Sequence, residues 1–178
     1  MQLKNLIKVY NNVISNQNCK HIIDCFEERS DKVKFYDTPS YKFKQLDLNQ
    51  TDLLPLAQMF AQQCSYYIED YFKSLGVNEY IKIQAFEDVR IKKYEKNSDY
   101  QFKTHIDVAD RESSIRYLVF ILYLNDNDGY TSFPTLDYKF KPKRGSLVVF
   151  PPYWMFPHTG EIPTDYDKYI MMSSLHHL

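Results

Sequence analysis

Apolar side chains recur at Cys19, Ile22, Ile23 and Phe26, the spacing of one helix face, with Ser15 or Asn16 available to cap its start. A second helix is predicted from about Asp52 to Leu75. Pro55 is tolerable in its first turn, and Leu56, Met59, Phe60, Tyr67, Tyr71 and Leu75 form its stripe. Gly76 stands where a helix C-cap belongs. Between the helices, residues 34–49 have extended or looped character, interrupted at Pro39. Beyond Gly76 the period changes. Residues 81–86 and Val89-Arg90-Ile91 alternate with a period of two, and residues 115–124 form an almost continuous apolar run suited to a strand buried on both faces. Tyr138–Phe140, Ser146–Phe150 and Tyr169–Leu175 supply further strands, separated by turn signals at 125–129, 142–145 and 163–165. Many short strands at this spacing predict a sandwich or barrel. No repeat, low-complexity stretch or linker divides the chain. The expectation is a single domain over 1–178, with a mainly helical support segment at 1–79 and a β core at 80–178.

Composition narrows the function classes. The 178 residues carry 22 Lys and Arg against 23 Asp and Glu, a net charge of −1, which excludes a strongly basic nucleic-acid binder and an acidic disordered tail. Aromatic residues reach 16% of the chain, well above their usual share. Three cysteines, Cys19, Cys25 and Cys64, fit neither a disulfide framework nor a zinc pattern with His21, so buried reduced thiols are expected. The N-terminal segment lacks a signal-peptide core, and no apolar run approaches bilayer length; a soluble intracellular protein, cytoplasmic or otherwise, with no membrane partner is expected.

The chemistry concentrates in His105-Ile106-Asp107. In a strand, residues two apart share a face, so His105 and Asp107 can converge on one metal, with His158 the candidate for a third ligand. Two imidazoles and one carboxylate leave open coordination positions, the donor set of non-haem Fe(II) oxygenases. A bidentate 2-oxo acid and O2 need those positions, whereas structural zinc would be closed by four protein ligands. Lys168 enters a strand ten residues after His158. A cation there suits the far carboxylate of a chelated diacid; at ~4 Å and an effective dielectric near 20 the pair gains on the order of 4 kcal/mol before desolvation.

The order of Lys93-Tyr94, His105-x-Asp107, Tyr123-Leu124-Asn125, Gly129 to Pro134, Lys141 to Ser146, Pro157-His158 and Lys168-Tyr169 resembles the prolyl 4-hydroxylase-like members of the 2-oxoglutarate/Fe(II)-dependent dioxygenase superfamily. The resemblance covers roughly residues 80–176, and the segment Tyr10 to Ser15 before the first helix is similar too. It implies a double-stranded β-helix, or jelly roll, mainly β with supporting α-helices. His105, Asp107 and His158 would hold Fe(II). Lys168 would pair with the C5 carboxylate of 2-oxoglutarate, Tyr123 would donate a hydrogen bond to it, Tyr94 would line the same pocket, and Thr131 would stand behind it. The implied reaction hydroxylates a C–H bond with O2 while 2-oxoglutarate is decarboxylated to succinate and CO2. The implied substrate is a prolyl residue of a peptide or protein, and ascorbate is a further family cofactor. Phe102, Ser174 and Asp128 stand where family members usually have Tyr, Trp and Gly, which leaves the substrate side least defined. Hydroxylation of a free amino acid or other small molecule, nucleic-acid demethylation, and a catalytically inactive binding module are the alternatives. The near-zero net charge and the absence of an Arg-rich segment after His158 oppose the nucleic-acid reading. Oligomeric state has no signature in the sequence. Tyr153 to Phe156 has the character of either a lid or a wall, and His176 and His177 are assigned no role.

Overall fold

In a computed structural model describing residues 2–178, Ser15 caps helix α1 (Asn16–Glu27), its Oγ accepting from the Asn18 N–H at 3.1 Å. Cys19, Ile22, Cys25 and Phe26 form the buried stripe of α1. Helix α2 (Leu54–Leu75) ends at Gly76, which adopts the left-handed conformation (φ 69°) that closes helices. Its buried stripe is Ala57, Phe60, Cys64, Ile68, Tyr71 and Phe72, rotated from the predicted one so that Met59 faces outward. Small Ala57 and Cys64 are buried in the cluster that α2 shares with the sheet. A scan weighted toward large side chains passes over such positions.

Among the described residues twelve strands follow one another as β1 (Lys8–Tyr10), β2 (Lys34–Asp37), β3 (Lys42–Asp47), β4 (Ala85–Phe86), β5 (Arg90–Tyr94), β6 (Phe102–His105), β7 (Arg116–Tyr123), β8 (Thr131–Phe133), β9 (Tyr138–Phe140), β10 (Leu147–Phe150), β11 (His158–Gly160) and β12 (Lys168–His176). All pairings are antiparallel. The major sheet has the order β1-β10-β7-β12-β5-β3-β2, with β4 added to β12; the minor sheet has the order β6-β11-β8-β9. This is the expected jelly roll with supporting helices. One hydrophobic cluster lies between the helices and the outer face of the major sheet, and holds Phe60, Ile68, Phe120 and Met171. A second lies between the sheets, and holds Phe43, Tyr123, Phe133 and Phe150. The apolar run at 115–124 forms the expected buried strand: every residue of β7 after Arg116 is out of solvent.

Three expectations need correction. Residues 1–79 are less purely helical than predicted, because β1, β2 and β3 join the major sheet. Residues 81–84 are not a strand: the Tyr117 hydroxyl donates to the Lys82 carbonyl and accepts from the Gln84 N–H, occupying groups a ladder would use. Asp107 lies in a bend beyond the last strand residue, His105, so the shared strand face is not what brings the two together. Among the described residues, no helix is long and apolar enough to cross a membrane.

Candidate metal centre

A cavity of about 530 Å³ opens between the two sheets. Its wall includes His105, Asp107, His158, Lys168, Tyr94, Tyr123 and Thr131, so every sequence-predicted site residue faces one space. The cross-strand pair His158↔His105 brings the two imidazoles together, with ring centres 4.2 Å apart. Between His158 and Gly160 the ladder slips: two steps on β11 oppose three on β6. The extra β6 residue turns Phe102 onto the same side as His105, and the two rings stack at 3.5 Å and 8°. Asp107 reaches the imidazoles from the bend, with Oδ1 3.5 Å from His105 Nε2 and Oδ2 3.6 Å from His158 Nε2. The Arg116 guanidinium anchors the bend by donating to the Asp107 carbonyl at 3.0 Å, while its Nε donates to Glu87 at 2.6 Å.

These groups are arranged as metal donors. Nδ1 of His105 lies 2.9 Å from the Lys103 carbonyl and Nδ1 of His158 lies 3.1 Å from the Phe156 carbonyl. Each Nδ1–H donates outward, so each Nε2 lone pair points at Asp107. One donor atom from each of the three lies within 4.8 Å of the others. Burial pushes the His158 imidazole toward its neutral, ligating form, with Asp107 opposing and His105 reinforcing the shift. Burial opposes ionisation of Asp107, yet His158, His105 and Lys92 outweigh it and hold the carboxyl below the usual range. Asp107 Oδ2 is buried without a hydrogen-bond partner among the described residues. An orphaned carboxylate oxygen between two lone pairs fits a divalent cation, and three donors leave positions open to small ligands.

Lys168 lines the same pocket and is 2% exposed. Its ammonium donates to the carbonyls of Gly129 (3.0 Å) and Glu161 (2.9 Å) and sits 4.8 Å from the Tyr94 ring centre. Burial pushes it down to about 7, against the pull of Glu161 and Asp128. Two carbonyls use two of its three N–H donors, leaving one for a ligand. Gly129 must be glycine for this loop to close, since a Cβ there would meet the Glu161 carbonyl oxygen at 2.8 Å. Asp128 locks the same contact: its carboxylate accepts from the Thr164 hydroxyl and from the N–H groups of Thr164 and Asp165. The departure at Asp128 is therefore a clasp between two pocket loops. The Tyr123 hydroxyl and Thr131 Oγ1 are 2.6 Å apart in the buried wall, and burial pushes the phenols of Tyr94 and Tyr123 upward.

Other sequence candidates fall outside the cavity. None of Tyr153 to Phe156 lines it; Trp154 is 75% exposed and Phe156 is core. Ser174, by contrast, lines it. The three cysteines are buried and free. His176 closes β12 and His177 stacks on Tyr117 at 4.5 Å. Sequence reasoning missed Lys92, a buried pocket residue. Its signal was present in the alternation of β5, which puts Lys92 on the same side as Tyr94.

Comparison with known proteins bears on this geometry. The profile of the 2OG-Fe(II) oxygenase superfamily matches residues 89–176, from β5 to the end of β12. A protein of Acanthamoeba polyphaga mimivirus bearing the name "Putative prolyl 4-hydroxylase" is 24% identical over 155 residues, covering 81% of this chain. The chain spans 60% of that protein's length. The viral collagen prolyl hydroxylase of Paramecium Bursaria Chlorella virus-1, solved with 2-oxoglutarate, superposes with a TM-score of 0.73 at 19% identity, covering 97% of each chain. A Trichoplax adhaerens prolyl hydroxylase, solved with a hypoxia inducible factor peptide fragment, superposes with a TM-score of 0.76 at 14% identity, covering 97% of this chain and 84% of that one. The structural likenesses establish a common fold. The profile match runs through all three donors and Lys168, so over residues 89–176 sequence and donor set both liken the chain to the 2OG-Fe(II) oxygenase superfamily.

Proposed function

We propose that this chain is an Fe(II)- and 2-oxoglutarate-dependent dioxygenase that hydroxylates a prolyl residue of a peptide or protein. The observation that carries the reading is the pairing, in one cavity, of the His105–Asp107–His158 donors with the buried ammonium of Lys168. Fe(II) bound by the three donors supplies the oxidising chemistry by which O2 and 2-oxoglutarate yield a hydroxylated product, succinate and CO2.

The protein's own part is to bind, orient and exclude water. Lys103 and Phe156 carbonyls fix the tautomers of both imidazoles. Lys168 offers its free N–H to the C5 carboxylate of the cosubstrate, and Tyr94 beneath it supplies an aromatic face. The Tyr123–Thr131 pair gives the same carboxylate a second polar contact. Phe133 and Phe150 pack on His158 and Phe102 on His105, which keeps bulk water from the reactive end. The prolyl assignment draws on the relatives named above. An intracellular location belongs to the same proposal, supported by three free thiols.

Proline-containing peptides incubated with the protein, Fe(II), 2-oxoglutarate and O2 test the reading. Expected is a peptide product heavier by one oxygen on proline, formed one-for-one with succinate. Oxidation on a residue other than proline would retain the oxygenase and reject the prolyl assignment.

A further inference from the structure

The cavity holds a second lysine that the proposed cofactor chemistry does not use. Lys92 lies in β5 on the same side as Tyr94, flanked across the sheet by Ile170 and Gln45. It is only 5% exposed. Its ammonium rests 4.2 Å from the centre of the Phe43 ring and 5.4 Å from that of Phe102, the ring stacked on His105. Among the described residues it has no hydrogen bond and no ion pair. Apart from Asp107, whose carboxylate faces the two imidazoles, the neighbouring charged and polar groups are engaged with one another. Gln45 donates to Asp47, and Glu87 accepts from both Arg90 (3.0 Å) and Arg116 (2.6 Å).

A buried ammonium without an acceptor costs several kcal/mol, and rings recover only part of that. Charge accounting leads to the same point. A divalent iron, Asp107, Lys168 and the dianionic cosubstrate would cancel, and Lys92 is left as one unmatched positive charge beside Phe102. Burial lowers its ammonium to about 7, helped by Arg90 and Arg116 and opposed by Asp107 and Asp47. An anion docked against it restores the charge. Ser174, buried on the same wall, leaves room that a larger side chain would fill.

We propose that Lys92 selects the substrate: its ammonium binds a carboxylate of the molecule being hydroxylated, seated in the metal cavity beside Phe102. An acidic side chain next to the target residue of a peptide and the α-carboxylate of a free amino acid offer the same group. The inference rests on the oxygenase reading above.

The test uses the full chain loaded with Mn(II), which binds without turnover, and 2-oxoglutarate. Calorimetry follows two matched pairs of probes: acetyl-Glu-Pro-Gly-amide against acetyl-Gln-Pro-Gly-amide, and L-proline against L-prolinamide. In at least one pair the acid is expected to bind ten-fold or more tightly than the amide, and the pair that discriminates identifies the source of the carboxylate. Lys92→Met, similar in volume and free of the buried charge, is expected to reduce the preference below two-fold while 2-oxoglutarate affinity stays within three-fold. Equal binding of acid and amide in both pairs, binding of no probe, or a preference surviving in K92M overturns the assignment. Loss of 2-oxoglutarate binding in K92M also overturns it, by assigning the lysine to the cosubstrate. If the unmodified chain binds neither Mn(II) nor 2-oxoglutarate, the oxygenase reading fails and this inference with it. Normal cofactor binding without acid preference removes only the role of Lys92.

Discussion

Lys168 has two carbonyl acceptors and an ammonium pushed down to about 7. The form that pairs with a carboxylate is therefore complete only below that pH. Above it, binding 2-oxoglutarate requires taking up a proton, so the dissociation constant is expected to rise toward ten-fold per pH unit. An affinity that is flat from pH 6.5 to 8.5 contradicts this role. Lys168→Met removes the charge partner altogether; a loss of roughly 2–5 kcal/mol of binding is expected, readable in an anaerobic 2-oxoglutarate titration. At this scale the sequence was most legible where side chains carry chemistry. His105, Asp107, His158 and Lys168 all reach the cavity assigned to them. Lys92 escaped because a lysine in a strand is ordinarily solvated, and only the parity it shares with Tyr94 places it inside.

Strand and loop geometry decides how those residues meet. The slipped register between β6 and β11 turns Phe102 and His105 to one side, which strict two-residue alternation forbids. Asp107 reaches the imidazoles from a bend tied down by Arg116, not from a strand face. The Asp128 clasp holds the loops whose carbonyls, from Gly129 and Glu161, seat Lys168. Asp128→Ala is expected to weaken 2-oxoglutarate binding while leaving metal affinity near its original value; an unaltered cosubstrate affinity contradicts the clasp. Helices and long apolar strands were legible because their periods are local. Strands β2 and β3 were legible only as an extended or looped stretch, because adjacent Phe35 and Tyr36 and the buried Gln45 beside Leu46 break their alternation. The 81–84 segment showed the converse failure, an alternating pattern whose backbone groups are taken by one tyrosine hydroxyl.

Across the whole molecule, the centre is assembled from two stretches of chain, His105–Asp107 and His158–Lys168, the second starting 53 residues after His105. β6 supplies His105, the bend after it Asp107, β11 His158 and β12 Lys168. The helices lie on the outer face of the major sheet, remote from the cavity, and act by burying that face. Class of fold could be read from many short strands after two helices. The order β1-β10-β7-β12-β5-β3-β2 could not, since every neighbour pair except the β2–β3 hairpin is set by long-range pairing that no local pattern records. The proposed function depends on the three-donor centre and on Lys168 in the same cavity. Its most direct measurement is an anaerobic titration of the protein with Fe(II) and 2-oxoglutarate, followed by visible absorption and then by succinate on admitting O2. One equivalent of each is expected to give a charge-transfer band and succinate, both abolished by Asp107→Ala with the fold intact by circular dichroism. Absence of the band in the unmodified chain, or its persistence without Asp107, would contradict the account.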